Sequence, residues 1–120
     1  MSEVFQMAYV NGMVAAVPTA NKDAYFKMCK MMAPIFKRHG AIEAVDCWGA
    51  DVPDGEVTSF PMAVKCKADE TVAFAWITWP DKATADAGMQ AAMSDPEMAQ
   101  AGEMPFDGKR LIFGGFEKIT

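Results

Sequence analysis

Val72-Ala73-Phe74-Ala75-Trp76-Ile77-Thr78-Trp79 is the clearest strand in the chain. β-Branched and aromatic residues fill it, and Pro80 closes it. Alternation along a strand puts Trp76 on one face and Trp79 on the other. A strand with large apolar groups on both faces belongs inside a sheet, so its neighbours must be found on either side of it. Upstream, Ala68 to Glu70 is a short polar turn. Val57 to Lys67 before it reads as a further strand, which Pro61 confines to an edge or a bulge. Ala41 to Trp48 reads as a strand, and Gly49 to Gly55 as a loop closed by Pro53-Asp54-Gly55. Met7 to Val17 is the first strand, apolar on both faces except for Asn11, with Pro18 ending it.

Between the first two strands, Asn21 is a candidate N-cap for a helix running to about His39. Tyr25, Met28, Met32, Ile35 and Phe36 keep a 3.6-residue period, Lys22, Lys27, Lys30 and Lys37 fall mostly opposite, and Gly40 supplies the stop. Pro34 predicts a bend between Lys30 and Pro34. Beyond Pro80, Asp81 caps a second helix with Ala85, Met89, Ala92 and Met93 on its inner stripe. Asp95-Pro96 restarts a short helix that Gly102 ends. Leu111 to Ile119 is the last strand, and Gly114-Gly115 within it predicts a bulge or a close backbone approach.

The order is β-α-β-β-β-α-β. Merging the middle strands into long bent hairpin strands gives an α+β, ferredoxin-like split βαβ arrangement with an antiparallel sheet. Nothing divides residues 1–120, which form one domain. Two helices cover one face of such a sheet, yet the other is also rich in Trp, Phe, Val and Met. A second copy of the chain is the simplest cover, so a homodimer with sheets packed face to face is expected.

The 120 residues carry 11 basic and 16 acidic side chains, a net charge of −5, with 52% hydrophobic residues. That balance is globular and argues against nucleic-acid binding, where Lys and Arg must neutralise phosphates. Cys29, Cys47 and Cys66 are odd in number and widely spaced, which suggests neither a disulfide framework nor a zinc site. Their apolar surroundings predict buried, reduced thiols. The opening Met1-Ser2-Glu3 lacks a basic region, and Gln6 and Asn11 break the apolar stretch from Val4 to Val17. Neither a signal peptide nor a membrane span is expected, and the cytoplasm is the default location. The eleven methionines read as flexible core filling or as an adaptable apolar binding surface.

Seven residues stand out as candidates for chemistry. His39, the single histidine, sits at a helix end, where it can cap carbonyls and favour the dipole. It can also serve as a general acid or base at a cleft mouth. Asp46 interrupts the apolar strand face of Ile42, Ala44 and Trp48. It should pair with Lys65 or Arg110 across the sheet, or face a solvated pocket. Glu43 alternates to the opposite face. Trp48, Trp76 and Trp79 are core or interface residues, or else the lining of a site for a flat ligand; Trp79 falls on the face opposite Trp76, so Trp48, Trp76 and Phe60 are the lining candidates. Arg110 is either a salt-bridge residue near the last strand or a site residue. No phosphate loop, dinucleotide fingerprint, zinc-protease or EF-hand pattern occurs, so no metal and no cofactor is expected.

Several stretches resemble one family. They are Tyr9-Val10-Asn11-Gly12 with Val17-Pro18; His39-Gly40-Ala41; Val57-Thr58-Ser59-Phe60-Pro61; Asp69-Glu70-Thr71-Val72; and Met104-Pro105-Phe106-Asp107-Gly108-Lys109-Arg110, ending Phe113-Gly114-Gly115-Phe116. Together they look like the family called domain of unknown function 1428, from about Ala8 to Glu117. The resemblance implies a fold of the dimeric α/β-barrel type and no established activity. Asn11 stands where an acid is usual in the family, and Pro34 falls in a helix that is usually uninterrupted. Other dimeric α/β barrels include cofactor-free monooxygenases, haem-degrading enzymes and isomerases, an analogy of fold alone.

The leading expectation is therefore a homodimer that binds an apolar or aromatic small molecule in a sheet–helix cleft. Trp48, Trp76 and Phe60 would line it, with Asp46, Lys65 and Arg110 fixing polar groups and His39 at the mouth. The alternatives are a cofactor-free oxygenase or isomerase with His39 as base, and an interaction protein without a ligand.

Overall fold

A computed structural model describes residues 7–120. The readings of Met1-Ser2-Glu3 and of the apolar stretch from Val4 fall partly or wholly outside the described residues. The elements are β1 (Tyr9–Pro18), α1 (Lys22–Arg38), β2 (Glu43–Trp48), α2 (Phe60–Ala63), β3 (Glu70–Trp79), α3 (Lys82–Met93) and β4 (Ile112–Glu117), with single 3-10 turns beside α1, after α3 and before β4. The sheet has four strands in the order β2-β3-β1-β4, and every neighbouring pair is antiparallel. β1 and β2 are thus parallel to each other, joined through α1, with β3 between them.

The strand register sorts the side chains into two faces. Asn11, Met13, Ala15 and Val17 of β1 share a face with Ala73, Ala75, Ile77 and Trp79 of β3 and with Ala44, Asp46 and Trp48 of β2. Helices α1 and α3 cover this inner face. Tyr25, Cys29, Ile35 and Phe36 of α1 are buried against it, as are Ala85 and Ala92 of α3. Trp79 is fully buried, and its indole N–H donates to Asn11 Oδ1 at 2.8 Å. That bond explains a polar residue within an apolar strand, because a buried N–H without a partner is costly. Gly88 on α3 lets the helix approach, since a Cβ there would collide with the Trp79 ring.

The outer face is covered only at one end. Val14, Ala16, Val72 and Val64 form a small cluster there, next to α2. Elsewhere it exposes Phe74 (40%), Ile112 (43%) and Phe116 (61%), with Phe60 (52%) beside Phe74. The Phe116 ring lies over the Gly12–Gly114 cross-strand pair, where hydrogens in place of Cβ atoms leave room for it.

Several expectations need correction. Val57 to Lys67 is not a strand. Ser59 caps α2, its Oγ accepting from Met62 N at 3.1 Å, and Pro61 sits in the first turn, where a missing N–H costs nothing. α1 is helical from Lys22 to Arg38 with an exposed Pro34 inside it. Asn21 flanks α1 but does not cap it; its side-chain amide donates to the Pro105 carbonyl instead. Only Cys29 is buried; Cys47 is exposed and Cys66 intermediate. Gly115 is indeed a close approach, but to the Tyr9 side chain rather than to a backbone.

Candidate functional site

Small residues on the inner face create an apolar cavity between the sheet and its helices. Ala15, Ala44, Ala73 and Ala75 pave the sheet floor, so the longer side chains of α1 and α3 above them do not reach across everywhere. A space of about 220 Å³ remains, walled by Met13, Met28, Met32, Phe36, Met89 and Phe106. Met93, Met104, Leu111 and Phe113 rim its outer side, where Met93, Met104 and Phe113 are exposed.

One end of the cavity is polar. Asp46 on β2 meets Tyr25 and Cys29, which lie one helical turn apart on α1. Burial among these groups pushes the Asp46 carboxyl above its ordinary value, and the Cys29 thiol, bonding to it, pulls it partly back. The residue stands on an edge strand with its outer side open to solvent. The shift therefore reflects the crowding on its inner side. Cys29 is pushed up to about 12, first by burial and then by the charge of Asp46, while a bond from the Tyr25 hydroxyl lowers it. Tyr25 is also pushed up by burial and stays protonated. The three groups stand together at this end of the cavity, and Asp46 is the charged one among them. Among the described residues no basic side chain borders this cavity, and no ion pair reaches Asp46.

The expected partners of Asp46 are engaged elsewhere. Arg110 grips Glu70 with two 2.7 Å hydrogen bonds, donates to the Lys65 carbonyl at 2.8 Å, and reaches Asp107 through Nε at 3.1 Å. This holds the Glu70 carboxyl down to about 2. Lys65 meets Arg110 through its backbone, at a positive φ of 49°. Neither side chain touches the cavity.

The remaining candidates separate between the two faces. Trp48 lies on the inner face, packed on Tyr25 and Phe26 with ring centroids 5.9 and 5.5 Å apart, in a groove next to the cavity. Trp76 borders the cavity as a residue, but its indole turns to the outer face. There it stacks with Phe74 at 5.7 Å and donates to Glu43 at 3.1 Å. Phe60 joins that outer row through Phe74 at 5.9 Å. His39 sits at the end of α1, where its Nε2 bonds Asp95 Oδ2 at 2.7 Å beside an Arg38–Asp95 pair of the same length. That holds Asp95 well below the usual carboxylate range. His39 borders a shallow surface groove with α3, not the cavity.

Sequence reasoning missed Tyr25 and Cys29 as site residues. Their i, i+4 spacing on the buried stripe of α1 was the available signal. Among the described residues no cluster of three His, Cys, Asp or Glu side chains is placed to hold a metal, and no helix is long and apolar enough to cross a membrane.

Residues 8–108 match the family described as "Protein of unknown function (DUF1428)", and the chain belongs to that family. The match ends inside the Met104–Phe116 motif. The chain is 56% identical over 114 residues to "Uncharacterized protein YbaA" of Escherichia coli strain K12, covering 94% of this chain and 97% of the relative. The Shigella flexneri protein of the same name matches equally well. A solved structure from Bacteroides thetaiotaomicron, described as a conserved protein of unknown function and "Possible Oxidoreductase", is similar with a TM-score of 0.53. The alignment covers 96% of this chain and all of that one at 15% identity, a likeness of fold alone.

Proposed function

We propose that this chain is a homodimeric small-molecule-binding protein whose ligand, apolar or aromatic, occupies the cavity between the sheet and its helices. The observation that carries this reading is the cavity itself. Well-packed interiors leave few voids larger than a water, whereas about 220 Å³ is open here, lined by methionines and aromatics with one carboxylate at its end. Thioether side chains adapt to a guest with little strain. The topology fits the split βαβ arrangement of ferredoxin-like domains. A second copy would cover the outer-face row of Phe60, Phe74, Ile112 and Phe116, giving the dimeric α/β-barrel form. The free thiols agree with a cytoplasmic location.

The site residues of this proposal are Asp46, Tyr25 and Cys29, with Trp48 at the adjoining groove. Lys65 and Arg110 brace the end of the sheet, His39 braces the end of α1, and Trp76 and Phe60 belong to the dimer surface. A second reading, a cofactor-free enzyme in the same cavity, gains from one observation. Burial raises the Asp46 carboxyl, the direction a general base needs, and Asp46 rather than His39 borders the cavity. The description of the Bacteroides protein agrees with an enzymatic relative but names no chemistry that transfers here.

The test is NMR of protein labelled at its methionine methyl groups, titrated with toluene. Met13, Met28, Met32 and Met89 should shift, while Met62, on α2 outside the cavity, should not. No shift at the four cavity methyls would refute ligand binding in this space.

A further inference from the structure

The cavity has a polarity as well as a volume, and the two together narrow what can fill it. Its walls are almost wholly hydrocarbon and thioether, and Asp46 is the one charged group bordering it among the described residues. A guest therefore buries an apolar body and can reach one carboxylate, which keeps a solvent-facing side. An anion is repelled, because no basic side chain borders the cavity among the described residues to offset Asp46. A cation would have to shed its water among apolar walls, with a single, partly solvated carboxylate to offset the loss. A neutral O–H donor meets the carboxylate at lower cost and forms a charge-assisted hydrogen bond.

Size sets the rest. An apolar void of roughly 150 Å³ takes up benzene. The cavity here, about 220 Å³, leaves room for one ring with a small substituent. Tyr25 and Cys29 line the same end of the cavity, and burial pushes both hydroxyl and thiol up so that they stay protonated, which leaves Asp46 as the acceptor there.

Building on the binding reading above, we propose that the cavity selects a neutral, singly substituted phenol-type ring, its hydroxyl donating to Asp46 and its alkyl end lying among the methionines. Asp46 is then the specificity-determining residue of the site. Shape and apolar contact admit many rings; the carboxylate ranks them by whether they carry a donor.

Three probes of nearly equal shape test this on the full chain: 4-ethylphenol, 4-ethyltoluene and 4-ethylbenzoate, each titrated into methionine-methyl-labelled protein. 4-Ethylphenol should bind about tenfold to a hundredfold more tightly than 4-ethyltoluene, the ratio expected of one hydrogen bond to a charged acceptor. 4-Ethylbenzoate should bind most weakly. Asp46→Ala, at a partly solvent-facing position on an edge strand, should abolish the preference while 4-ethyltoluene still binds. Equal affinity for the phenol and the toluene, tightest binding by the benzoate, or a preference that survives Asp46→Ala would overturn the proposal and leave cavity binding standing. If none of the three shifts the cavity methyls, the binding reading fails and this inference fails with it.

Discussion

Replacing Phe116 by lysine tests the outer sheet face directly. Phe116 is 61% exposed, stands on edge strand β4, and lies over glycines rather than between core side chains. The substitution should therefore leave the fold intact. A phenylalanine offers on the order of 150–250 Å² of surface, so at 61% exposure about 100 Å² is available to a partner. At about 25 cal/mol per Å² its burial is worth roughly 2.5 kcal/mol per copy. A two-fold interface contains the residue twice, so a dimer built on this face would lose about 5 kcal/mol. The lysine stem keeps part of the apolar cover, and a rise in the dimer dissociation constant of at least about a hundredfold is the expected result. Sedimentation velocity at micromolar concentration reads it, with circular dichroism confirming the fold. Phe113→Lys is the matched control. It is equally exposed and on the same strand, but it points to the inner face and should leave the dimer unchanged. If Phe116→Lys sediments as a dimer like the unaltered chain, the outer face is not the interface.

Other consequences follow from the inner face and the ion pairs. Asn11→Ala leaves the buried Trp79 N–H without its acceptor, at a cost of about 2 kcal/mol. Calorimetry should then show Tm lower by about 6–12 °C; an unchanged Tm would mean the indole finds another partner. Glu70 is ordinary when unfolded and held down to about 2 when folded, chiefly by Arg110. Its contribution is therefore complete above the ordinary carboxylate range and fades as pH falls toward 2. Urea midpoints should drop over that window, and Glu70→Gln should lower the midpoint at neutral pH and flatten the acid-side slope. An identical slope in the variant would assign the acid sensitivity to other carboxylates.

Much of the fold is legible in local chemistry. The alternation of Val72 to Trp79, the Asp81 cap and the Gly40 stop each follow from one or two residues. Ser59-Phe60-Pro61 was harder. β-Branched and aromatic neighbours suggest a strand, but a serine two residues before a proline is also a helix start, and the missing proline N–H decides for the helix. Pro34 stands at an exposed position inside α1, where the carbonyl that loses its partner is open to hydration and the helix continues to Arg38.

The site was legible only in part. Asp46 stood out because a carboxylate interrupts an apolar face. What it faces depended on which basic groups reach it, and Arg110 is taken by Glu70, an ion pair 40 residues apart in sequence. Trp76 and Phe60 are aromatic like a ligand box, but pleat and register turn the indole outward. The cavity is invisible in sequence, since it arises where alanines of three strands meet under methionines of two helices. No single segment records that coincidence.

The most direct measurement is native mass spectrometry of the full chain purified under mild conditions and then equilibrated with 4-ethylphenol. The account predicts a dimer carrying small-molecule mass, with up to one adduct per copy, lost when Ala44→Phe fills the floor of the cavity. A monomer, or a dimer that stays bare at every ligand concentration, would contradict it.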